Sequence, residues 1–65
     1  MTKSVEEKLR RLWKLSPRAM LYYYDGTYIV EGVVDRSGNP WTARWPDLHE
    51  TLDHAIQCAE RLGEP

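Results

Sequence analysis

Cysteine occurs once, as Cys58, so no disulfide can close within the chain and the stapled scaffolds of small secreted proteins are excluded. Phenylalanine is missing altogether, which leaves bulky core material to three tryptophans, four tyrosines and the aliphatic residues. No apolar run approaches the roughly 18 residues of a membrane span. The stretch 1–16 is charged along its length and lacks a signal-peptide core, so no membrane association and a cytoplasmic location are expected. Only His49 and His54 accompany the lone cysteine, short of a four-ligand zinc set. None of the four glycines belongs to a phosphate-cradling loop; turns, close packing and a helix stop account for them all. What remains is an ordinary globular composition, 42% apolar and 29% charged over 65 residues, the size of one small domain.

The net charge of −1 conceals a division along the chain. Between Met1 and Arg18 six basic residues (Lys3, Lys8, Arg10, Arg11, Lys14, Arg18) stand against two acidic ones, whereas from Tyr22 onward three basic residues face eight acidic ones. A basic first segment on an acidic body can bind phosphate or an acidic partner, complement the body internally, or simply solvate a helix face.

Ser4 with Glu7 three residues on is a capping-box pattern, and Val5, Leu9, Leu12 and Trp13 then recur on one helical stripe. Ser16-Pro17 stops the run, so the first helix is predicted over about 4–15. Asp25-Gly26 reads as a two-residue hairpin turn that pairs Tyr24 with Thr27, and outward from there Tyr22 with Ile29 and Met20 with Glu31. A second turn lies within Asp35 to Pro40. With Ser37-Gly38 as its two residues, Val34 faces Trp41, Gly32 faces Ala43, Glu31 faces Arg44 and Val30 faces Trp45. That register gathers Leu21, Tyr23, Tyr28, Val30, Val34, Trp41, Ala43 and Trp45 on one face, with both tryptophans largely buried. A one-residue slip would carry Glu31 to the tryptophan face. After Pro46, Asp47 or Thr51 caps a second helix, predicted from Leu48 or Leu52 to Leu62 with Gly63 as its stop. The predicted fold is α+β: strands at about 19–24, 27–35 and 40–45 form an antiparallel meander flanked by the two helices, in the order α-β-β-β-α.

Chemistry-bearing residues are sparse. His49 and His54 stand five apart, about 140° around a helix, unlike the i and i+4 pair of zinc proteases, so no metal site is expected. Cys58 has no base beside it and lies far from a helix N-terminus. No catalytic residue, metal or cofactor is therefore assigned. The informative surface is the sheet face turned away from the core, where the predicted register displays Met20, Tyr22, Tyr24, Ile29 and Val33 with Arg44. Apolar and aromatic residues with arginine are what interfaces favour.

The α-β-β-β-α order resembles the double-stranded-RNA-binding domain, although Asp47, His49, Glu50 and Asp53 stand where that family carries its basic cluster and would repel phosphate. The segment Tyr28 to Trp45 followed by Thr51-Leu52-Asp53-His54-Ala55-Ile56 is similar to part of HicB-like antitoxins, which would imply a toxin partner. The sheet and final helix also resemble the arm-binding domains of phage integrases and a plant DNA-binding domain, which read DNA with the sheet.

The expectation is thus a small non-enzymatic interaction module, a regulator or inhibitor of the kind that phages and mobile elements encode. It would dock on a protein partner or a second copy of itself through Met20, Tyr22, Tyr24, Ile29, Val33 and Arg44, together with Arg10, Arg11 and Lys14 of the first helix. The alternative is nucleic-acid binding, with the basic helix on phosphates and Tyr22 and Tyr24 stacking on bases.

Overall fold

A computed structural model of the chain describes residues 4–61. In chain order the elements are α1 (Val5–Leu15), β1 (Met20–Tyr24), β2 (Thr27–Val34), β3 (Pro40–Trp45) and α2 (Leu48–Glu60), the strands forming one antiparallel sheet in the order β1-β2-β3. This is the expected α+β architecture. No described helix is long and apolar enough to cross a membrane.

Both helices begin where their caps place them. Ser4 Oγ accepts from the Glu7 backbone N–H and the Glu7 carboxylate accepts from that of Ser4, while Asp47 does the same service for Glu50 N–H at 2.9 Å. Ser16 caps the end of α1, its N–H donating to Leu12 O at 2.7 Å before Pro17. Arg61 caps α2, and the expected stop at Leu62 and Gly63 lies outside the described residues.

The β1–β2 hairpin has the predicted register throughout, from Tyr24 opposite Thr27 to Met20 opposite Glu31. Asp25 at φ 51° and Gly26 at φ 78° give the paired left-handed residues of a type I′ turn. The second hairpin differs from expectation in two places. Its loop closes with Asp35 N–H on Asn39 O and Gly38 N–H on Asp35 O, both 3.0 Å, so three residues, 36–38, turn the chain instead of two. Further along, a bulge adds one residue to β2 between Val30 and Val33. The two shifts add, and Arg44 stands opposite Ile29 rather than Glu31, Ala43 opposite Val30, and Trp45 opposite Tyr28. An even total leaves the faces of β3 as predicted. Beyond the bulge the parity of β2 inverts: Val33 is fully buried, and Val34, expected in the core, is exposed.

The bulge has a visible cause in the link from α1 to β1. Gly32 sits at φ 82°, and a Cβ there would lie 2.5 Å from the carbonyl oxygen of Arg18. Ser16 Oγ accepts from Val34 N–H at 3.2 Å and donates to Val34 O at 3.1 Å, so a buried hydroxyl supplies the backbone partners that a regular ladder would have given.

The core joins Leu12 of α1, Ala19, Val30 and Val33, Ala43, and Leu52, Ala55, Cys58 and Ala59 of α2. α2 packs on β2 and β3, and α1 packs on α2, so both helices lie on the Val30 face. Thr51 is also fully buried, its hydroxyl 2.8 Å from Asp47 O with Trp45 O and Tyr28 O at 3.2 and 3.3 Å. Trp45 is not the buried anchor expected of it. The shifted register sets it opposite Tyr28 at the end of β3, where it remains 42% exposed and meets His54 edge to face. Trp41 is half-buried.

Candidate functional site

No described element covers the outer face of the sheet. Met20, Tyr22 and Tyr24 lie exposed along β1 on this side, with Thr42 and Arg44 across the sheet on β3. Ile29, on the central strand between Tyr22 and Arg44, is only 4% exposed. It belongs beneath the surface and cannot be the contact residue that the sequence suggested. Val33 leaves the surface altogether, because the bulge turns it into the core. A cleft of about 200 Å³ opens here, lined by Tyr24, Asp25, Thr27, Ile29 and Arg44.

Tyr22 OH donates to the Glu31 carboxylate at 2.8 Å. That bond holds the phenol above its ordinary pKa, with desolvation and the Glu31 charge adding to it and Arg44 opposing. Glu31 thus serves Tyr22 rather than Arg44, the cross-strand partner expected for it.

The basic residues of α1 are not part of this surface. Lys8 is buried and its Nζ lies 2.9 Å from the Asp53 carboxylate of α2; Arg11 pairs with Glu60 of α2, and Arg10 with Glu6 one turn earlier at 2.6 Å. Two of the basic residues, Lys8 and Arg11, thus resolve part of the charge division in the sequence as complementarity between the two helices. Lys14 is exposed and carries no ion pair among the described residues. Since α1 rides on α2 on the inner side, Arg10, Arg11 and Lys14 do not combine with Met20, Tyr22 and Tyr24 into one docking surface.

Two further groupings escaped sequence reasoning. The Asp35 carboxylate accepts from Trp41 Nε1 at 2.9 Å and from the backbone N–H groups of Ser37 and Asn39 at 2.8 and 2.9 Å. The Trp41 bond first, then the backbone bonds, hold its pKa below the usual carboxylate value against the opposing effect of burial. The stability this adds is complete above the unfolded value of about 3.9 and disappears as the pH falls through the lower folded value. Arg61 lies over the Trp41 ring at 4.8 Å and its carbonyl accepts from Arg36 N–H, so the β2–β3 loop is tied to the end of α2. The run Asp35-Arg36-Ser37-Gly38-Asn39 carried the available signal, an Asx-type turn.

The remaining candidates do not converge. Cys58 is buried in α2, and desolvation pushes its thiol pKa up, away from the reactive thiolate, with the Asp35 charge adding to this and Arg61 opposing it. His54 meets Trp45 edge to face, while His49 Nδ1 is buried without a hydrogen-bond partner among the described residues. Among the described residues no group of three or more His, Cys, Asp or Glu is placed to hold a metal ion. No family model, curated protein or solved structure matches this chain.

Proposed function

We propose that this chain is a small non-enzymatic module that binds another protein through the outer face of its sheet, centred on β1. The observation that carries the reading is the row Met20, Tyr22 and Tyr24, 59%, 39% and 70% exposed on a face that no described helix covers. Side chains of this kind bring large contact area at small entropic cost, and a contiguous exposed set is the mark of an interaction surface. The role of such a module is regulation or inhibition by occupancy. A non-enzymatic reading is supported by a cysteine held as a buried thiol within the core.

Site-specific photo-crosslinking in the cells that express the protein tests this. A photoreactive residue in place of Tyr24 should yield a discrete protein adduct, resistant to nuclease and lost when Tyr22→Ser is added. The same residue in place of Gln57, exposed on α2, should not yield it. Equal adducts from both positions, or none from position 24, would overturn the proposal, and a nuclease-sensitive adduct would transfer the face to nucleic acid.

A further inference from the structure

The open side of the sheet ends in an edge, and that edge is built to match itself. We propose that β1 pairs antiparallel with β1 of a second copy of this chain, joining the two sheets into one of six strands. The inference rests on the reading of the β1 side as a docking surface and names the occupant of its edge.

Edge strands are ordinarily guarded by a charge, a proline or a covering element. β3 begins with Pro40, carries Arg44 and lies under α2. From Ala19 to Tyr24 the chain has neither charge nor proline, and no described helix packs on β1, α1 reaching only Ala19 before it through the Trp13 indole. Backbone geometry then selects a register. In a two-residue type I′ hairpin the closing pair, here Tyr24 and Thr27, exchanges both hydrogen bonds, so Tyr24, Tyr22 and Met20 turn their backbone groups toward β2. Leu21 and Tyr23 accordingly turn theirs outward. Ala19 is already spent: its N–H donates to Ser16 O at 3.0 Å and its carbonyl accepts from Trp13 Nε1 at 2.8 Å. The free stretch is therefore Leu21 to Tyr23. Two copies use it fully only when Leu21 of each faces Tyr23 of the other, with Tyr22 on the two-fold axis.

Charge complementarity identifies a second copy as the occupant. The uncharged strand is preceded by Arg18 and followed by Asp25, both exposed and neither in an ion pair among the described residues. Antiparallel pairing in this register brings Ala19 opposite Asp25 of the other copy, which places the Arg18 guanidinium beside that carboxylate at both ends. On the outer face Tyr22 meets Tyr22 and Met20 meets Tyr24; on the inner face Leu21 meets Tyr23.

Sedimentation of the purified full chain between about 1 μM and about 1 mM, the span of weak to moderate affinities, should show a monomer passing into a dimer. Arg18→Glu and Asp25→Lys should each weaken association by roughly tenfold, because each sets like charges together at both ends. An equimolar mixture of the two variants should recover it: at one end of the mixed dimer the two introduced charges are opposite and face each other, and at the other end the original Arg18 and Asp25 meet. Urea midpoints establish that each variant is folded. Should Asp25→Lys fail to fold at its positive φ, chemical synthesis with an N-methyl group on Tyr23 removes one outward donor per copy and should leave a monomer of unchanged midpoint. A wild-type chain monomeric throughout, a mixture no more associated than its components, or an N-methylated chain that still dimerises would each overturn the pairing. A monomeric chain that nonetheless yields the adduct from position 24 would overturn the pairing alone and leave the docking reading standing.

Discussion

The sheet is finished differently on its two sides. Across β2 and β3 the inward residues Val30, Val33 and Ala43 lie under α2 with almost no exposure. Along β1 only Leu21 is partly withdrawn, and Tyr23, which points to the same side as Val30, is 60% exposed and rests on Tyr28 with ring centroids 4.9 Å apart. The reason is width. A helix is about 10–12 Å across with its side chains and strands are spaced about 4.8 Å, so one helix roofs two strands well and a third poorly. α1 does not make up the difference, because it packs on α2 instead of lying beside it on the sheet. Alternation along a strand decides which face a residue takes; whether that face is covered depends on how the helices divide it between them.

The largest expected effect lies where β1's approach meets the bulge. Gly32→Ala should cost more than the roughly 1–3 kcal/mol of a positive φ alone, because the new methyl runs into the Arg18 backbone. Gly38→Ala, at φ 88° with open space around it, should stay within that range. Equal losses in urea midpoint would show that the Arg18 segment yields freely and that the two sides of the sheet are only loosely joined there. The next effect reads the bulge itself. Val33→Ser should cost roughly 2–4 kcal/mol, from lost burial and a hydroxyl placed in the core, while Val34→Ser should stay within about 0.5 kcal/mol. The opposite order would restore the regular ladder and return Val33 to the outer surface.

That pair also shows where the sequence was legible. The first hairpin could be read residue by residue, because Asp25-Gly26 admits one turn type and the turn fixes every pair above it. The Ser4 cap of α1 is equally local, whereas for α2 the sequence leaves Asp47 and Thr51 open and the structure uses Asp47; the α-β-β-β-α order follows from either. The second hairpin was chosen by apolar pattern, and a pattern of period two cannot distinguish a ladder from one displaced by two residues. What displaced it, the Arg18 carbonyl against Gly32 and the Ser16 hydroxyl on Val34, comes from a segment distant in sequence. Of the candidate site, Met20, Tyr22 and Tyr24 belong to the hairpin that its turn fixes, and they stand exposed. Val33 came from beyond the bulge and was misplaced. Ile29 was put on its proper face, but alternation does not report that neighbours on both sides bury it.

The smallest effect concerns the seam between the helices, and it asks whether the closed side is held by apolar packing or by charge. Lys8 is 7% exposed and its ammonium reaches Asp53, whose side chain remains about half exposed at 53%. Water therefore screens the pair from one side, and the lysine stem, not its charge, fills the seam. Asp53→Ala should cost about 1 kcal/mol, since the ammonium can turn toward the solvent that Asp53 now meets. Lys8→Met keeps the length of the stem and removes the desolvation of the charge, so its urea midpoint should be unchanged or slightly raised. In that background Asp53→Ala should cost nothing, giving a coupling of about 1 kcal/mol that shrinks at high salt. A loss of more than about 2 kcal/mol from Lys8→Met alone would mean that the ion pair positions α1. The closed side would then depend on charge, as the edge of β1 is proposed to do.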